Sequence, residues 1–429
     1  MGLSQSWLRF GRGWARHLAG ALLACCLPGL AAAKGGAMEG EIVVRLRNGS
    51  EISPLLVKHQ LSLVDRFRGR PIYRLKVIGS ASVGTKVDAL RREIDVKSAE
   101  PNAIYEILEP TKNRPWAIGD PQESMARQWA AQAIRLPQAL RLSTGAGMRV
   151  AVLDTGIDRQ HAALAGKLLP GYDFVDGDFD PSEEGGSANP TFGHGTHVAG
   201  IVALAAPGAR IMPLRIIGTD GTSNLWRLAA ALLHAVDPDG NPTTDDGAHV
   251  INLSLSTLAR TQLFSTVAHA VSCSKRDLEA LSIGDWVRCV GYGGAVIVAA
   301  AGNRGSDSIY EYPAAEVSPE LVSVAASASS GWLAPFSNYG WPEIAAPGAL
   351  ITSTIPGGGY ATWSGTSMAA PFVAGAAALL RAADRSLSAA QVIERLRGRA
   401  GALCGTGLKQ LDAAATLADE AASTRLRCP

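Results

Sequence analysis

Short apolar segments alternate with helical patterns through the middle of the chain, between residues 148 and 326. The predicted strands are 148–153, 211–217, 250–255, 295–300 and 322–326, and the predicted helices are 198–205, 224–236 (with Ser223 as its N-cap) and 264–271. Strands that are apolar along their whole length and alternate with helices are typical of a parallel sheet covered by helices on both faces. Functional side chains in such sheets lie at the carboxyl ends of strands, and Asp154 and Asn303 stand in that position.

The composition excludes several classes of protein. Of the 429 residues, 47% are hydrophobic and 18% are charged, which are the values of a globular chain and not of a disordered one. The net charge is +2 and the arginines are scattered, so nothing in the sequence indicates a nucleic-acid partner. The length is sufficient for one large domain and a smaller one.

The N-terminus has the pattern of an export signal. Arg9, Arg12 and Arg16 precede an apolar run at 18–30, which is followed by three alanines at 31–33. This order predicts a secretory signal peptide at 1–33, and the apolar run is too short for a membrane span. A lipid-modified cysteine at Cys25 is the alternative interpretation of the same segment, and it would leave the protein anchored after export.

Two domains are predicted after the signal peptide. Residues 34–112 contain predicted strands at 42–46, 73–78 and 103–108 and predicted helices at 54–67 and 85–94, an order that suits a small α+β domain of ferredoxin-like type. The proline- and glycine-bearing segment 113–121 is typical of an exposed linker, where cleavage is common. Residues 113–429 then form the second, larger domain.

Residues 364–375 read Ser-Gly-Thr-Ser-Met-Ala-Ala-Pro-Phe-Val-Ala-Gly and open an apolar, helix-like run. Ser367 would lie in the first turn of this helix, where backbone N–H groups lack intrahelical partners and favour negative charge nearby. A plain N-cap serine on a buried helix is the alternative. Strand-end aspartates often cap turns, and His194 could be a histidine of the core, so none of these residues is informative alone.

Together these side chains supply the groups of a nucleophilic hydrolase. A serine becomes an effective nucleophile when an imidazole accepts its proton, and a buried carboxylate orients that imidazole and stabilises its charged form. Asp154, His194 and Ser367 provide the three groups, in the chain order Asp, His, Ser that subtilisin shows. Asn303 offers an amide donor for a negatively charged oxygen.

Four sequence blocks carry a resemblance to a known family. They are Val-Ala-Val-Leu-Asp-Thr-Gly-Ile-Asp, His-Gly-Thr-His-Val-Ala-Gly, Ala-Ala-Gly-Asn and Ser-Gly-Thr-Ser-Met-Ala-Ala-Pro. Between residues 128 and 380 the chain resembles the subtilisin-like serine proteases (subtilases), and in particular their thermitase-like members, which have an N-terminal propeptide. The resemblance implies that Asp154, His194 and Ser367 form the catalytic triad and that Asn303 stabilises the oxyanion.

The resemblance also implies a function and its partners. It implies a secreted serine endopeptidase that hydrolyses proteins or peptides through an acyl-enzyme and cleaves its own linker. The propeptide would act as folding chaperone and inhibitor, no cofactor would be required for the chemistry, and a monomer is expected. The implied substrate-binding residues are Ser254, Leu255, Ser256 and Gly302, although the family usually has glycine where Ser256 stands. A catalytically silent peptide-binding scaffold and a membrane-tethered processing protease are the alternative functions.

The sequence contains two acidic loops. The acidic loop at 171–180 resembles a calcium loop of thermitase-like members, with Asp173, Asp176, Asp178 and Asp180 as ligands of a structural calcium ion; solvated turn residues are the alternative. A second acidic loop at 237–246 lacks the glycine position and the closing glutamate of a calcium-binding EF-hand, so it is interpreted as a surface loop.

The predicted export determines how the cysteines are interpreted. Four cysteines remain after the signal peptide, which allows three pairings in an oxidising compartment. Residues 272–290 look like an insertion relative to the family, and Cys273 and Cys289 near its ends suggest one disulfide. Cys404 and Cys428 would then form the other.

Overall fold

The computed structural model describes residues 36–107, 122–274 and 282–422. The predicted signal peptide, the predicted linker and Cys428 lie outside these residues. The N-terminal elements are β1 (Ala37–Leu46), α1 (Ser53–His59), β2 (Leu61–Arg66), β3 (Ile72–Val77), α2 (Val83–Leu90) and β4 (Val96–Glu106). The larger domain contains α3 (Gln122–Arg127), α4 (Trp129–Ala133), α5 (Leu136–Ala139), β5 (Arg149–Asp154), β6 (Tyr172–Asp173), α6 (His194–Ala205), β7 (Arg210–Arg215), β8 (Thr222–Asn224), α7 (Leu225–Val236), β9 (Val250–Leu253), α8 (Gln262–Val271), α9 (Ile283–Tyr292), β10 (Val296–Ala300), β11 (Leu321–Ser327), β12 (Ile344–Pro347), β13 (Ile351–Ile355), β14 (Gly359–Trp363), α10 (Thr366–Ala383), α11 (Ala389–Gly398), β15 (Gly401–Ala402), β16 (Lys409–Gln410) and α12 (Ala413–Ala418).

The N-terminal domain has the predicted ferredoxin-like order of two strand–helix–strand halves. Its strands lie in the order β2, β3, β1, β4, and the neighbouring pairs are antiparallel. Apolar side chains of β1 alternate between two environments: Ile42 and Val44 pack with Leu75 and Leu90 in the domain's own core, whereas Val43 packs against the larger domain. The domain therefore uses one face of its sheet for folding and the other for docking.

The prediction of one helix over 54–67 is wrong. The helix α1 ends at His59, because Gln60 adopts a left-handed conformation with φ of 51° and its N–H closes the last turn on Leu56 and Val57. The following segment, β2, pairs with β3. Local periodicity suggested a continued helix, whereas pairing with a strand distant in sequence determines the observed structure.

The larger domain is built on the predicted parallel sheet. Its nine strands lie in the order β15, β16, β12, β11, β10, β9, β5, β7, β6, and every neighbouring pair is parallel except β15 with β16. Alternate residues of one strand enter two separate cores: Val150 and Val152 lie in one, and Ala151 and Leu153 in the other. Helices therefore cover both faces of the sheet, as the sequence predicts.

Helix α10 is the central helix of one of these cores. Sixteen of its residues are buried, from Thr366 to Arg381, and it contains Pro371. Among the described residues, it is the one helix long and apolar enough to cross a membrane by length and composition, but it lies inside the domain. A Cβ on Gly375 would lie 2.3 Å from Ala205 Cβ, so α10 packs on α6 at a distance that only glycine permits.

The predicted insertion contains helix α9 and a disulfide. Cys273 follows α8 and Cys289 lies in α9, and the two are joined as predicted. The first turn of α9 has a capping box between Ser282 and Asp285. Cys404 is also in a disulfide, but its predicted partner lies outside the described residues, so that pairing stays a prediction.

The N-cap of α7 differs from the prediction. The N-cap is Asn224, whose side chain accepts a hydrogen bond from Arg227 N–H, and not Ser223. Ser223 instead belongs to β8, where it pairs with Tyr105 of the N-terminal domain.

Candidate active site

Asp154 and His194 form a buried pair at one end of the sheet. Asp154 ends β5 and His194 begins α6, and their Oδ1 and Nδ1 atoms lie 2.7 Å apart. Thr155 N–H donates to the same carboxylate oxygen at 2.8 Å. The two side chains are 1% and 0% exposed, so the carboxylate fixes the imidazole in a water-poor site and stabilises its protonated form.

Ser367 lies in the first turn of α10, two residues after the N-cap residue Gly365. Its side chain makes no cap, so the alternative of an N-cap serine is excluded. Among the described residues, the Ser367 hydroxyl donates to the carbonyl of Ser254, at 3.4 Å, and not to the imidazole of His194. Trp363, four residues before Ser367, has its ring 6.5 Å from that of His194, which brings this segment and the histidine to the same region.

Asn303 is held beside Ser367 by Thr366. The amide oxygen of Asn303 accepts hydrogen bonds from Thr366 N–H at 2.8 Å and from Thr366 Oγ1 at 3.1 Å. The same hydroxyl accepts from Gly302 N–H at 3.0 Å. Because its oxygen is bonded to Thr366, the amide group can offer only N–H donors to other groups, as stabilisation of an oxyanion requires.

His197, on the same helix as His194, is a buried histidine with structural contacts. Its ring stacks on Trp363 at 4.5 Å, and its Nε2 lies 3.0 Å from the Ala361 carbonyl. Burial lowers the pKa of His197 to about 3, so this imidazole is neutral. The two histidines of one helix, His194 and His197, thus have separate functions.

The N-terminal domain supplies a strand to the same region. Glu106, at the end of β4, exchanges two backbone hydrogen bonds of 2.8 Å with Ser256. On its other side Glu106 lies opposite Thr222 of β8. The end of β4 is therefore paired along both of its edges. Its partner Ser256 lies two residues after Ser254, whose carbonyl accepts a hydrogen bond from the Ser367 hydroxyl.

A family model described as the Subtilase family matches residues 145–420, more than half of the chain. The chain belongs to the subtilase family. A second model, described as the fervidolysin N-terminal prodomain, matches residues 30–102, so the N-terminal domain is a subtilase prodomain.

Curated and solved relatives agree with this assignment. The chain is 34% identical to the "Thermophilic serine proteinase" of Bacillus sp. (strain AK1), over 87% of this chain and 85% of the relative. It is 35% identical to thermitase of Thermoactinomyces vulgaris, over 66% of this chain and 91% of that protein. The crystal structure of fervidolysin from Fervidobacterium pennivorans, a keratinolytic enzyme related to subtilisin, has a TM-score of 0.69 and 25% identity, over 90% of this chain and 62% of that one. This subtilase is accordingly a subtilisin-like serine protease with a prodomain.

Ser256, at a position where the family usually has glycine, has a buried partner. Its hydroxyl donates to Glu311 Oε2 at 2.5 Å, and Asn338 Nδ2 donates to Glu311 Oε1 at 3.0 Å. Glu311 is fully buried, and a Cβ on Gly302 would lie 2.3 Å from its carboxylate. This carboxylate therefore joins Ser256, one of the residues expected to bind substrate, to Asn338. No local sequence pattern distinguishes Glu311 and Asn338 as members of this cluster.

The prodomain also accepts hydrogen bonds from backbone N–H groups at the starts of two helices. The Glu100 carboxylate accepts from Gln262 and Leu263 N–H, at 2.8 and 2.7 Å, where α8 begins. Asn102 Oδ1 accepts from Trp226 N–H at 3.0 Å, where α7 begins. Glu100 thus supplies the acceptor that the N-cap residue Thr261 of α8 does not provide, and its charge interacts favourably with the helix dipole. Asn102 adds a second acceptor to the Asn224 cap of α7.

Glu183 is a second acid close to the Asp154–His194 pair, and no sequence motif marks it. Thr196 Oγ1 donates to Glu183 Oε2 at 3.1 Å. Burial first, and then the negative charge of Asp154, raise the pKa of Glu183 to about 7, although hydrogen bonds from Thr155, Gly193 and Thr196 lower it. This carboxyl group therefore changes its charge near neutral pH, next to the candidate catalytic pair.

Replacing Glu183 by Gln should make the stability of the protein less dependent on pH between pH 4.5 and pH 7. Because the folded-state pKa lies above the ordinary value of 4.5, Glu183 costs no stability below pH 4.5. The cost grows as the pH rises from 4.5 to 7 and is constant above pH 7. One pKa unit corresponds to about 1.4 kcal/mol, so the difference in unfolding free energy between variant and parent should grow by up to about 3 kcal/mol between pH 5 and pH 8. Denaturant titrations across this range measure it, in the Ser367→Ala protein to avoid self-digestion. Glu123→Gln, on an exposed side chain of α3, is the matched control, and a difference independent of pH would contradict the assignment.

The predicted calcium loop is organised around an arginine. Arg215 is 2% exposed and contacts three carboxylates, Asp173 at 2.5 Å, Asp176 at 2.6 Å and Glu184 at 2.8 Å. These three carboxylates could hold a cation by their mutual distances, but the guanidinium group already lies against them. As arranged, the residues do not fit a calcium ion at this place, because the bound arginine supplies the positive charge.

The other two predicted ligands lie outside this cluster. Asp178 accepts from Asp180 N–H, and Asp180 binds the Ser182 hydroxyl, which lowers its pKa together with Arg159. In the second acidic loop, Asp237, Asp239 and Asp246 come close enough to hold a cation. Burial, followed by repulsion from the neighbouring aspartates, raises the pKa of Asp237 and of Asp246.

Replacing Arg215 by Leu should destabilise the protein by about 3 kcal/mol, because Asp173 would stay buried without a counter-ion. Calcium should raise the melting temperature of the variant by occupying the vacated position, whereas chelator should leave that of the parent unchanged. Melting curves with EDTA and with calcium, in the Ser367→Ala background, measure both effects. Arg210→Leu, at the exposed start of the same strand, is the control. A parent protein that loses stability in chelator would mean that calcium is bound beside Arg215.

Proposed function

We propose that this subtilase hydrolyses peptide bonds with Asp154, His194 and Ser367 as its catalytic triad. The observation that carries the proposal is the buried Asp154–His194 hydrogen bond at the carboxyl end of β5, with Ser367 in the first turn of the adjacent helix α10. Ser367 Oγ attacks the scissile carbonyl carbon while His194 Nε2 accepts its proton. Asp154 stabilises the imidazolium that forms. His194 then gives the proton to the leaving amine, and water releases the acyl group by the same steps in reverse order.

Asn303 and the positive end of α10 stabilise the tetrahedral intermediate in this proposal. Thr366 holds the amide oxygen of Asn303, so the amide NH₂ is oriented before substrate binds. A donor that is already oriented needs no reorganisation when the negative charge develops, which favours the transition state over bound substrate. The backbone N–H groups at the start of α10 carry the partial positive charge of the helix dipole and act in the same direction.

Substrates bind as an added strand along Ser254, Leu255 and Ser256, next to Gly302. The pairing of Glu106 with Ser256 supports this binding mode, because it is what a bound peptide would form. Side chains at alternate positions of such a strand point to pockets that determine which sequences are cut. A digest of a peptide library by the processed protein would give that preference.

The prodomain serves as inhibitor until it is removed. We propose a signal peptide at 1–33, a prodomain at 34–112 and a catalytic domain at 113–429, with export, self-cleavage between residues 108 and 128, and a monomeric mature enzyme. The family assignment and the pairing of β4 with both β8 and Ser256 support this order of events. A relative from Xanthomonas campestris is described as an extracellular protease, which supports secretion.

Labelling with a peptide phosphonate that reacts with activated serine tests the proposal. We expect one adduct on the processed protein, at Ser367, together with loss of peptide hydrolysis in proportion to labelling. The processed protein denatured before labelling is the control, since it keeps the serine but loses the arrangement with His194. A processed, folded protein that is neither labelled nor active would identify a catalytically silent peptide-binding scaffold instead.

A further inference from the structure

A turn of the prodomain contacts the catalytic domain at a site separate from the segment 254–256. The turn at 67–71 joins β2 to β3, and β2 is the edge strand opposite to β4 in the prodomain sheet. Phe67 N–H donates to the Ile72 carbonyl and Arg70 N–H donates to the Phe67 carbonyl, both at 3.1 Å, so the turn is tightly closed. Its side chains face two elements of the catalytic domain, α7 and α9.

The contact with α7 is centred on Trp226. The Phe67 ring stacks on the indole at 4.0 Å with an interplanar angle of 8°, and the indole N–H donates to Asp65 Oδ2 at 3.1 Å. The Arg74 guanidinium lies over the same ring, 5.8 Å from its centroid. Trp226 is 4% exposed, so both of its functional parts, the ring and the N–H group, are used.

The contact with α9 is a buried ion pair. Arg70 Nη2 lies 2.5 Å from Asp285 Oδ2, and the two side chains are 10% and 7% exposed. Asp285 also accepts from the N–H and hydroxyl groups of Ser282, so the carboxylate is held in place by the capping box of its own helix. Loss of one partner from a buried, hydrogen-bonded ion pair mainly accelerates dissociation.

The disulfide fixes the position of α9. Cys289 in α9 is joined to Cys273, which follows α8, and Arg288 donates to the carbonyl of Ala270 in α8 at 2.8 Å. Asp285 is therefore presented by a covalently tied insert next to Trp226. We infer that Trp226 and the disulfide-tied α9 form a second docking site, specific for a turn with an aromatic residue and an arginine three positions later. Its occupant is the prodomain turn at 67–71, and the site controls how fast the prodomain leaves.

The inference about release rests on the proposed protease function, and two measurements separate the two ideas. The first uses the full-length Ser367→Ala protein, which requires no catalysis. Amide hydrogen exchange in α9 should increase at least about tenfold when Arg70 is replaced by Ala, since the buried ion pair is lost. Arg68→Ala is the matched control, because Arg68 belongs to the same turn and is exposed. Equal exchange in both variants would overturn the docking site.

The second measurement follows the lag before activity appears after the self-processed complex is diluted. Arg70→Ala and Asp285→Asn should each shorten the lag by about tenfold or more, and the double variant should shorten it no further, because both remove one interaction. The mature enzyme from Arg70→Ala has the parent sequence, so its final kcat/KM must equal the parent value. If the parent is active and both variants show the same lag as the parent, the claim that this site controls prodomain release is overturned. Altered exchange with no peptide hydrolysis by the parent would instead overturn the protease function and leave the docking site standing.

Discussion

Replacement of Ser367 by Ala should abolish peptide hydrolysis and lower kcat by about a millionfold, the scale expected when the nucleophile of such a triad is removed. Only one oxygen atom is lost, and its hydrogen bond to the Ser254 carbonyl is long, at 3.4 Å, so the fold should be preserved. Steady-state kinetics on a fluorogenic peptide measure the effect. Ser364→Ala is the control: its hydroxyl lies three residues earlier and accepts from Leu350 N–H, and its loss should leave kcat within a few-fold. Retention of most of the activity would refute the triad.

The same substitution should also block maturation. The strand that ends the described prodomain is paired with Ser256, two residues from the Ser254 carbonyl that contacts Ser367, so we expect Ser367 to cut the linker that follows in the sequence. The parent protein should yield two fragments that copurify at first, cut between residues 108 and 128. The Ser367→Ala protein should remain one chain apart from removal of the signal peptide. Intact mass spectrometry of both, made in a host without other secreted proteases, measures this, and a clipped Ser367→Ala protein would mean that another protease performs the cleavage.

Replacement of Asn303 by Ala should reduce kcat by about 10²- to 10³-fold with little change in KM. The amide donor acts on negative charge that develops only in the transition state, so substrate binding should be almost unaffected. Because Thr366 loses the acceptor for its N–H and hydroxyl groups, a small loss of stability should accompany the substitution. Asn241→Ala, in the exposed loop between α7 and β9, is the control. A loss that resides in KM alone would make Asn303 a substrate-binding residue.

The central sheet and the residues proposed for catalysis could be predicted because their signals are local. A buried parallel strand is apolar along its whole length, and the residue that follows it is carried to a known edge of the sheet. Asp154 and Asn303 are of this kind, whereas His194 and Ser367 lie in the first turns of apolar helices. The Cys273–Cys289 disulfide could be predicted for a similar reason, since the two residues bracket a short insertion.

The parts that sequence reasoning missed depend on contacts between distant residues. Strand β2 looked like the end of a helix, because its pairing with β3 leaves no local pattern. Glu183, Glu311 and Arg215 are charged residues that loops and strand ends carry to buried positions, where their partners lie 13 to 55 residues away in sequence. A charged residue in a loop is usually solvated, so sequence alone gives no reason to place it in a core.

The calcium loop is an example of a local pattern with a different physical solution. Its spacing of aspartates is suitable for a divalent cation, and two of them do converge. The positive charge comes from Arg215, at the end of β7, and that position is determined by the sheet. A covalently attached guanidinium group cannot be removed by chelator, so this arrangement would make the loop independent of metal supply.

The double pairing of Glu106, with Thr222 on one side and Ser256 on the other, has a consequence for the choice of protein substrates. A substrate segment that binds between Thr222 and Ser256 must offer both of its backbone edges for pairing. It can therefore belong neither to a sheet nor to a helix while it is bound. Each residue that is straightened costs about 1–2 kcal/mol of conformational entropy, and a segment that must first leave a folded structure costs the local stability as well. Cleavage of native proteins by this enzyme would thus require local unfolding. Exposed, unstructured connections would be cut first, and local stability would determine the cleavage sites more than sequence preference does.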